Sequence, residues 1–361
     1  MKKYPDYIFL ALAASLVVIG TIMIFSASPA LALKYGDSFY YLKKHLFYLL
    51  LGLFSFYGAM KLKIDSLKKW SPYILMSSVF LMLLLYVPKL GREMGGATRW
   101  LDLYIFSFQP SELCKFAVVL FIAAYLSNKK EGIKDFISGL LPLLLLIGIV
   151  DAIIINQPDL GTALSISFSS FIMFFIAGAS IWHLSSLLIV AAAGVTVISI
   201  TSPYRMKRLL AYLNPWNDPL NSGFQIIQSL LAVGSGGLMG LGLGNSRQKF
   251  FYLPQQYADF IFAVLCEELG FIGAAILLLL FLGFLARGIR IARKAGDDFS
   301  FLLAAGLVSM FAVQTFMNLS VVLGLIPTTG IPLPFVSYGG TAMIINLFSV
   351  GLIANISRSA K

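Results

Sequence analysis

Long apolar runs, broken at intervals by short charged stretches, make up most of this chain. Ten such segments can be marked, at residues 7–28, 46–60, 72–88, 110–127, 136–155, 161–179, 182–200, 259–286, 301–326 and 334–356. About 20 helical residues cross a hydrocarbon core of about 30 Å, and only the second segment, at 15 residues, falls clearly short of most of the others. Backbone polar groups find no water inside a bilayer, so such spans are helical. The pattern predicts an all-α polytopic membrane protein with ten transmembrane helices. One long polar loop, residues 201–258, separates the seventh and eighth. Nothing in the pattern divides the chain further, so one transmembrane domain over 1–361 is expected.

Composition agrees: 59% of the 361 residues are hydrophobic and 12% charged, against about 25% charged in soluble domains. The net charge of +11 calls for no nucleic acid, because its placement has a membrane explanation. Fifteen Lys and Arg residues fall on the termini and one set of loops, and six on the short loops of the other side. The positive-inside rule then places both termini in the cytoplasm and the 201–258 loop outside it. The N-terminus resembles a signal peptide, with Lys2, Lys3 and an Ala30-Leu31-Ala32 stretch. Its apolar run of about 22 residues exceeds the 7–15 of a signal h-region, so it reads as a retained first span. Cys114 and Cys266 lie in apolar runs with no metal-binding spacing, and His45 and His183 are isolated.

The chemistry gathers where polar loops meet spans. Residues 248–270 read QKFFYLPQQYADFIFAVLCEELG, with Asp259 at the joint between loop and apolar helix. A carboxylate there either caps the helix or works at the membrane surface, and the stretch alone leaves both open. Glu267 and Glu268 follow by eight and nine residues, about 12–13 Å deeper along a helix, so neither forms a dyad with Asp259. Glu112 and Lys115, three apart on the fourth segment, form either a structural clamp or part of a polar cavity. Asp159 after Pro158 reads first as an acid at a helix N-terminus and second as a cavity residue. Within the long loop, YRMKRLLAY and FQIIQSLLAV alternate as short interfacial helices do. Its cations Arg205, Lys207, Arg208, Arg247 and Lys249 then face lipid phosphates or simply anchor the loop. The Gly-rich stretch 234–244 lacks the GK[ST] of a P-loop and reads as a flexible linker or tight turn. Three prolines, Pro327, Pro332 and Pro334, cannot continue a helix, so 327–340 is expected beside a cavity mouth.

Several ordered motifs together resemble the SEDS proteins of bacterial cell-wall synthesis, the FtsW/RodA family. They are ATRWLDL at 97–103, QPSELCK at 109–115, QPDLGT at 157–162, NPWNDP at 214–219, the stretches 223–229 and 251–268, and the Pro/Gly-rich 327–340. The resemblance implies a ten-span peptidoglycan glycosyltransferase that polymerises lipid II on the outer face of the cytoplasmic (inner) membrane. The expected products are glycan strands and undecaprenyl diphosphate. The implied partners are a class B penicillin-binding protein and other membrane proteins of the divisome or elongasome. The family's essential Asp falls on Asp259, the Glu and Lys of its QPSExxK motif on Glu112 and Lys115, the Asp of QPDLGT on Asp159, and the Trp of RWL on Trp100. Tyr257 stands where many members have His, and Gln255 where many have Glu. NPWxDP and GNSxQKFFYLP favour the division branch, FtsW, whereas RWLDL is closer to RodA.

The expected chemistry takes Asp259 as general base for a sugar hydroxyl. Lys115, Arg205, Arg208 and Lys249 stabilise the diphosphate, and Glu112, Asp159 and Trp100 line the substrate site. No cofactor is implied. A divalent cation bridging Asp259 and the diphosphate is an alternative with no ligand cluster in the sequence behind it. Two other function classes stand beside this one: a lipid flippase or transporter using Glu112, Lys115 and Asp159 as path residues, and a noncatalytic scaffold.

Overall fold

The computed structural model describes residues 4–87, 90–94, 97–102, 107–129, 132–248 and 256–359. Among them are twelve helices of eleven or more residues: α1 (Tyr7–Ala27), α2 (Tyr40–Lys61), α3 (Ile64–Leu83), α4 (Pro110–Asn128), α5 (Leu141–Asn156), α6 (Leu160–Ile176), α7 (Ile181–Thr201), α8 (Pro203–Leu213), α9 (Phe224–Ser235), α10 (Ile261–Arg293), α11 (Asp298–Val322) and α12 (Gly340–Ser359). Ten of these coincide with the ten apolar segments; α8 and α9 occupy the long loop. Among the described residues, eight spans are long and apolar enough to cross a membrane. The other two segments form α2, which carries Lys43, Lys44 and Lys61, and α6, which has 17 residues. The second segment thus becomes a helix of 22 residues, because Tyr40–His45 continue it outward with polar and aromatic side chains. Strands β1 (Gly91–Met94), β2 (Ala97–Asp102) and β3 (Ser107–Phe108) form a small antiparallel sheet in order β1-β2-β3 between α3 and α4.

The helices differ sharply in burial. In α11, 83% of the spanning window is buried, whereas in α7 only 6% is. Helix α11 packs on α4, α6 and α10 and forms the axis of the bundle. The first and last helices meet at one end of the bundle, where Asp6 N–H donates to Ser357 Oγ at 3.0 Å. There Asp6 caps Phe9 N–H and accepts Arg287 Nε through both oxygens at 2.9 Å. Two charges are thereby satisfied at once.

Helix α10 is broken. Gly270 has φ 65° and ψ −164°, dividing the helix into two pieces. A break at this depth frees backbone groups that a bilayer cannot satisfy. The Gly-rich stretch supplies the missing partners. Leu241 and Gly242 N–H donate to Glu267 and Glu268 C=O at 2.9 and 3.0 Å, and Phe271 and Ile272 N–H donate to Gly237 and Leu238 C=O at 2.8 and 3.2 Å. A Cβ on Gly270 would lie 2.4 Å from Gly240 N, so the two backbones meet without side chains between them. Of the two readings, flexible linker or tight turn, the second holds: the stretch is turn backbone with left-handed Gly237, Gly240, Gly242 and Gly244, pinned against the break. Its tail is pinned too. Ser246 Oγ and the Arg247 and Gln248 N–H groups donate to the Glu267 carboxylate, and Ser26 Oγ donates to Glu268 at 2.6–2.7 Å. Helix α9 likewise packs on α10 and α11, with Ser229 Oγ donating to Val322 C=O at 2.8 Å.

Candidate active site

Asp259 lies in the turn that precedes α10. The N-cap of that helix is Phe260, with no side-chain cap hydrogen bond. The capping role weighed from sequence is therefore not the one the Asp259 side chain plays. The turn is held from behind instead. Asn318 of α11 donates through Nδ2 to both Asp259 C=O and Ile331 C=O, each at 2.8 Å. Ser337 Oγ donates to Ala258 C=O at 2.6 Å, and Tyr338 N–H to Tyr257 C=O at 2.9 Å. These bonds tie the turn to the Pro-rich strap of residues 327–340. The strap cannot be helical, and its own buried Leu333, Phe335 and Val336 anchor it in the core. Phe335 packs its ring 5.1 and 5.3 Å from those of Phe311 and Phe284.

The strap also brings in Asp159. A Cβ on Gly161 would sit 2.5 Å from Thr329 C=O, so only glycine lets the start of α6 approach the strap this closely. Asp159 caps α6 as the sequence suggested, accepting from Thr162 N–H at 3.2 Å and Thr162 Oγ1 at 2.9 Å. Arg99, on β2, donates Nε to Gln157 C=O at 3.2 Å and donates to Pro158 C=O. Its Nε lies 4.0 Å from Asp159 Oδ2. Arg208, on α8, donates Nη1 to Thr328 C=O at 2.9 Å. Asp259 is half-buried. Loss of water pushes its carboxyl up to about 6; Arg99 and Arg208 pull it back, and the Asp159 charge raises it further. Asp159, Asp259, Arg99 and Arg208 therefore share one electrostatic neighbourhood.

Beside this cluster opens a cavity of about 670 Å³. Its walls are apolar side chains of α6, α7 and α11, among them Leu164, Phe168, Val195, Val313 and Phe316. Pro158, Arg208 and the strap residues Pro327, Thr328 and Thr329 complete it at the polar end. The strap thus lies at the cavity mouth, where three prolines placed it.

The remaining sequence candidates fall elsewhere or outside view. Glu112 and Lys115 pair with each other at 2.8 Å, and both are buried at 3% exposure. Trp100 is half-buried on β2, paired across to Arg92. Lys249 lies outside the described residues; Arg205 sits on α8, but its side chain is not among those described. Among the described residues no three His, Cys, Asp or Glu side chains converge as a metal site would need. Arg99 and Asn318 had not been singled out from sequence. Arg99 adjoins Trp100 in a motif valued for its Trp, and Asn318 is one polar residue inside an apolar helix. Only the latter leaves a readable signal, an amide where apolar side chains would serve.

The family model for cell cycle proteins of the FtsW, RodA and SpoVE type matches residues 6–361. The chain belongs to this family. Stage V sporulation protein E of Bacillus subtilis (strain 168) is 44% identical over 361 residues, covering 100% of this chain and 99% of its own. A protein of Geobacter sp. (strain M18) named "Probable peptidoglycan glycosyltransferase FtsW" is 42% identical, with 98% and 96% covered. Among solved structures, a chain of a peptidoglycan synthase complex coordinating polymerization and crosslinking superposes with TM-score 0.83 at 32% identity, covering 99% of this chain and 98% of that one. The Thermus thermophilus rod shape determining protein RodA gives TM-score 0.72 at 28% identity, with 99% and 97% covered. These likenesses bear out the all-α polytopic membrane fold and the family resemblance read from the motifs. They add a sporulation relative to the division and elongation branches.

Proposed function

We propose that this protein is a peptidoglycan glycosyltransferase that joins lipid II units into glycan strands at the outer face of the cytoplasmic membrane. One observation carries the reading: an apolar cavity of about 670 Å³ opens beside two carboxylates and two guanidiniums. An apolar groove suits a polyprenyl chain, and guanidiniums at its mouth suit the diphosphate that chain carries.

In this reading the acceptor sugar's 4-hydroxyl attacks the anomeric carbon of the donor. Its proton passes to an Asp259 Oδ as the new C–O bond forms. The anomeric carbon–phosphate oxygen bond breaks, and its electron pair leaves with the undecaprenyl diphosphate. A diphosphate leaves without protonation but gains from charge stabilisation, a role for Arg99 and Arg208 and, as cations of the 201–258 loop, for Arg205 and Lys249. Asp159 holds the α6 N-terminus and faces Arg99, while Trp100 walls the headgroup region. Glu112 and Lys115 reach substrate only when their mutual pair opens. No step here depends on ATP or on a metal. The loop charges support a topology with both termini in the cytoplasm and Asp259 outside. Relatives named FtsW, together with the NPWNDP motif, favour septal synthesis, and the likeness to a synthase complex supports a class B penicillin-binding protein as partner.

The test is purified protein given labelled lipid II, with and without that partner. Polymer from wild type and none from folded Asp259→Ala or Asp259→Asn is expected. Undiminished polymer from both variants would remove Asp259 as base. Lipid movement across vesicles without polymer would favour a transporter, and complex formation without either activity a scaffold.

A further inference from the structure

Joining two lipid-linked sugars needs two subsites around one base, and the cavity accounts for one. Next to Asp259 along the chain, Tyr257 belongs to a cluster of tyrosines that lines no part of the cavity. Tyr257, two residues before Asp259 and close enough to feel its charge, packs its ring 4.4 Å from Tyr41 and 5.4 Å from Tyr338. Tyr41 meets Tyr338 edge-on at 5.5 Å and Tyr40 at 5.4 Å, and the Tyr40 ring stacks on Tyr35 at 4.2 Å. The Tyr257 hydroxyl lies 3.4 Å from that of Tyr41. Lys44 covers the Tyr40 ring, 4.5 Å from its centroid. The inner rings are thus engaged with one another, while Tyr35 at the outer end is 57% exposed. A rigid run of rings leading from a general base to an open aromatic face matches saccharides. Their axial C–H faces stack on tyrosine, and their hydroxyls bond to phenolic oxygens.

We propose that the Tyr35–Tyr40–Tyr41–Tyr257–Tyr338 cluster is the acceptor-side sugar subsite, binding the β-linked N-acetylated disaccharide of the acceptor or growing strand. Tyr257 and Tyr41 lie nearest the reacting hydroxyl, and Tyr35 holds a sugar further along the strand. This assignment rests on the polymerase reading, yet it fails separately from it.

The experiment uses the full-length protein in nanodiscs. A soluble β(1→4)-linked N-acetylglucosamine tetramer is added, and saturation transfer from aromatic protons to sugar ring protons is recorded. Transfer is expected with wild type and Tyr35→Phe, and about 3-fold to 10-fold less with Tyr35→Ala and Tyr35→Leu. Tyr35→Leu keeps apolar bulk without a flat ring, and a thermal melt of each variant checks folding. With labelled lipid II, Tyr35→Ala and Tyr35→Leu should shorten the mean strand by a similar factor, and Tyr35→Phe should preserve it. Unchanged transfer and strand length in both variants overturns the subsite, as does a change confined to lipid association, which would make Tyr35 a headgroup anchor only. Polymer that depends on Asp259 but is indifferent to Tyr35 sinks the subsite and leaves the polymerase. Sugar transfer that depends on Tyr35, with no polymer from wild type, does the reverse.

Discussion

Two charged groups of similar composition sit in this bundle and behave in opposite ways. Glu112 and Lys115 meet at 2.8 Å with 3% exposure each. Both come from one helix, three residues apart, and each neutralises the other. Asp159, Asp259, Arg99 and Arg208 come from four separate stretches. Arg99 Nε stands 4.0 Å from Asp159 Oδ2, and the hydrogen bonds of Arg99, Arg208 and Asp159 include backbone carbonyls and Thr162. The first group is closed on itself, whereas the second is held in place by its surroundings, with Arg208 lining the cavity. Charge within a membrane protein becomes reactive when the fold orients it without quenching it.

The comparison breaks most plainly at Asp259. Asp259→Asn should lower the polymerisation rate by about 10²–10⁴-fold with an unaltered melt, read as labelled polymer per time. At the closed pair the effect should fall on stability. Lys115→Met leaves Glu112 buried and uncompensated, and unfolding in detergent should become easier by about 3–5 kcal/mol. The double variant Glu112→Leu/Lys115→Met should recover most of that loss; equal losses in single and double variants would show that the pair is not mutually neutralising. Arg208→Ala removes one guanidinium from the open group and should cost about 10-fold in rate, a loss of about 1.4 kcal/mol. Lys at this position should restore little, since it lacks the planar fork.

The smallest effect is that of pH. Asp259 must be ionised to accept a proton, and burial raises its carboxyl to about 6. Activity should therefore be level above that value, fall to about half near it, and drop about tenfold per unit below. A profile flat down to the ordinary carboxylate range would mean that water reaches Asp259 freely.

Much of this was legible in the residues. Apolar length announced the spans, and Asp159 announced itself as a cap by its place after Pro158 and before an apolar run. The Pro-rich strap was read as a cavity border because prolines deny it a helix. Other features were not legible. The Gly-rich stretch 234–244 reads as a linker or a tight turn because glycine permits motion and close contact alike, and only Gly270 opposite makes it the second. The Glu112–Lys115 spacing fits a clamp or a cavity equally, and only the packing around the helix shows the pair buried at 2.8 Å. Asn318 is far from Asp259 in sequence, so its two hydrogen bonds had no local signature.

The sequence by itself determined that the chain crosses a membrane many times, that both of its ends belong to one end of the bundle, and that its polar chemistry collects at loop–helix joints. Those follow from local composition and from the cost of exposing backbone or charge to hydrocarbon. The tertiary structure alone decided which polar groups meet. Asp259, Asp159, Arg99 and Arg208 are drawn together by contacts such as Arg208 with Thr328, 120 positions apart, and Gly161 against Thr329, 168 apart. Such contacts depend on backbone approach at Gly161 and Gly270 and on hydrogen bonds that no short window of sequence contains.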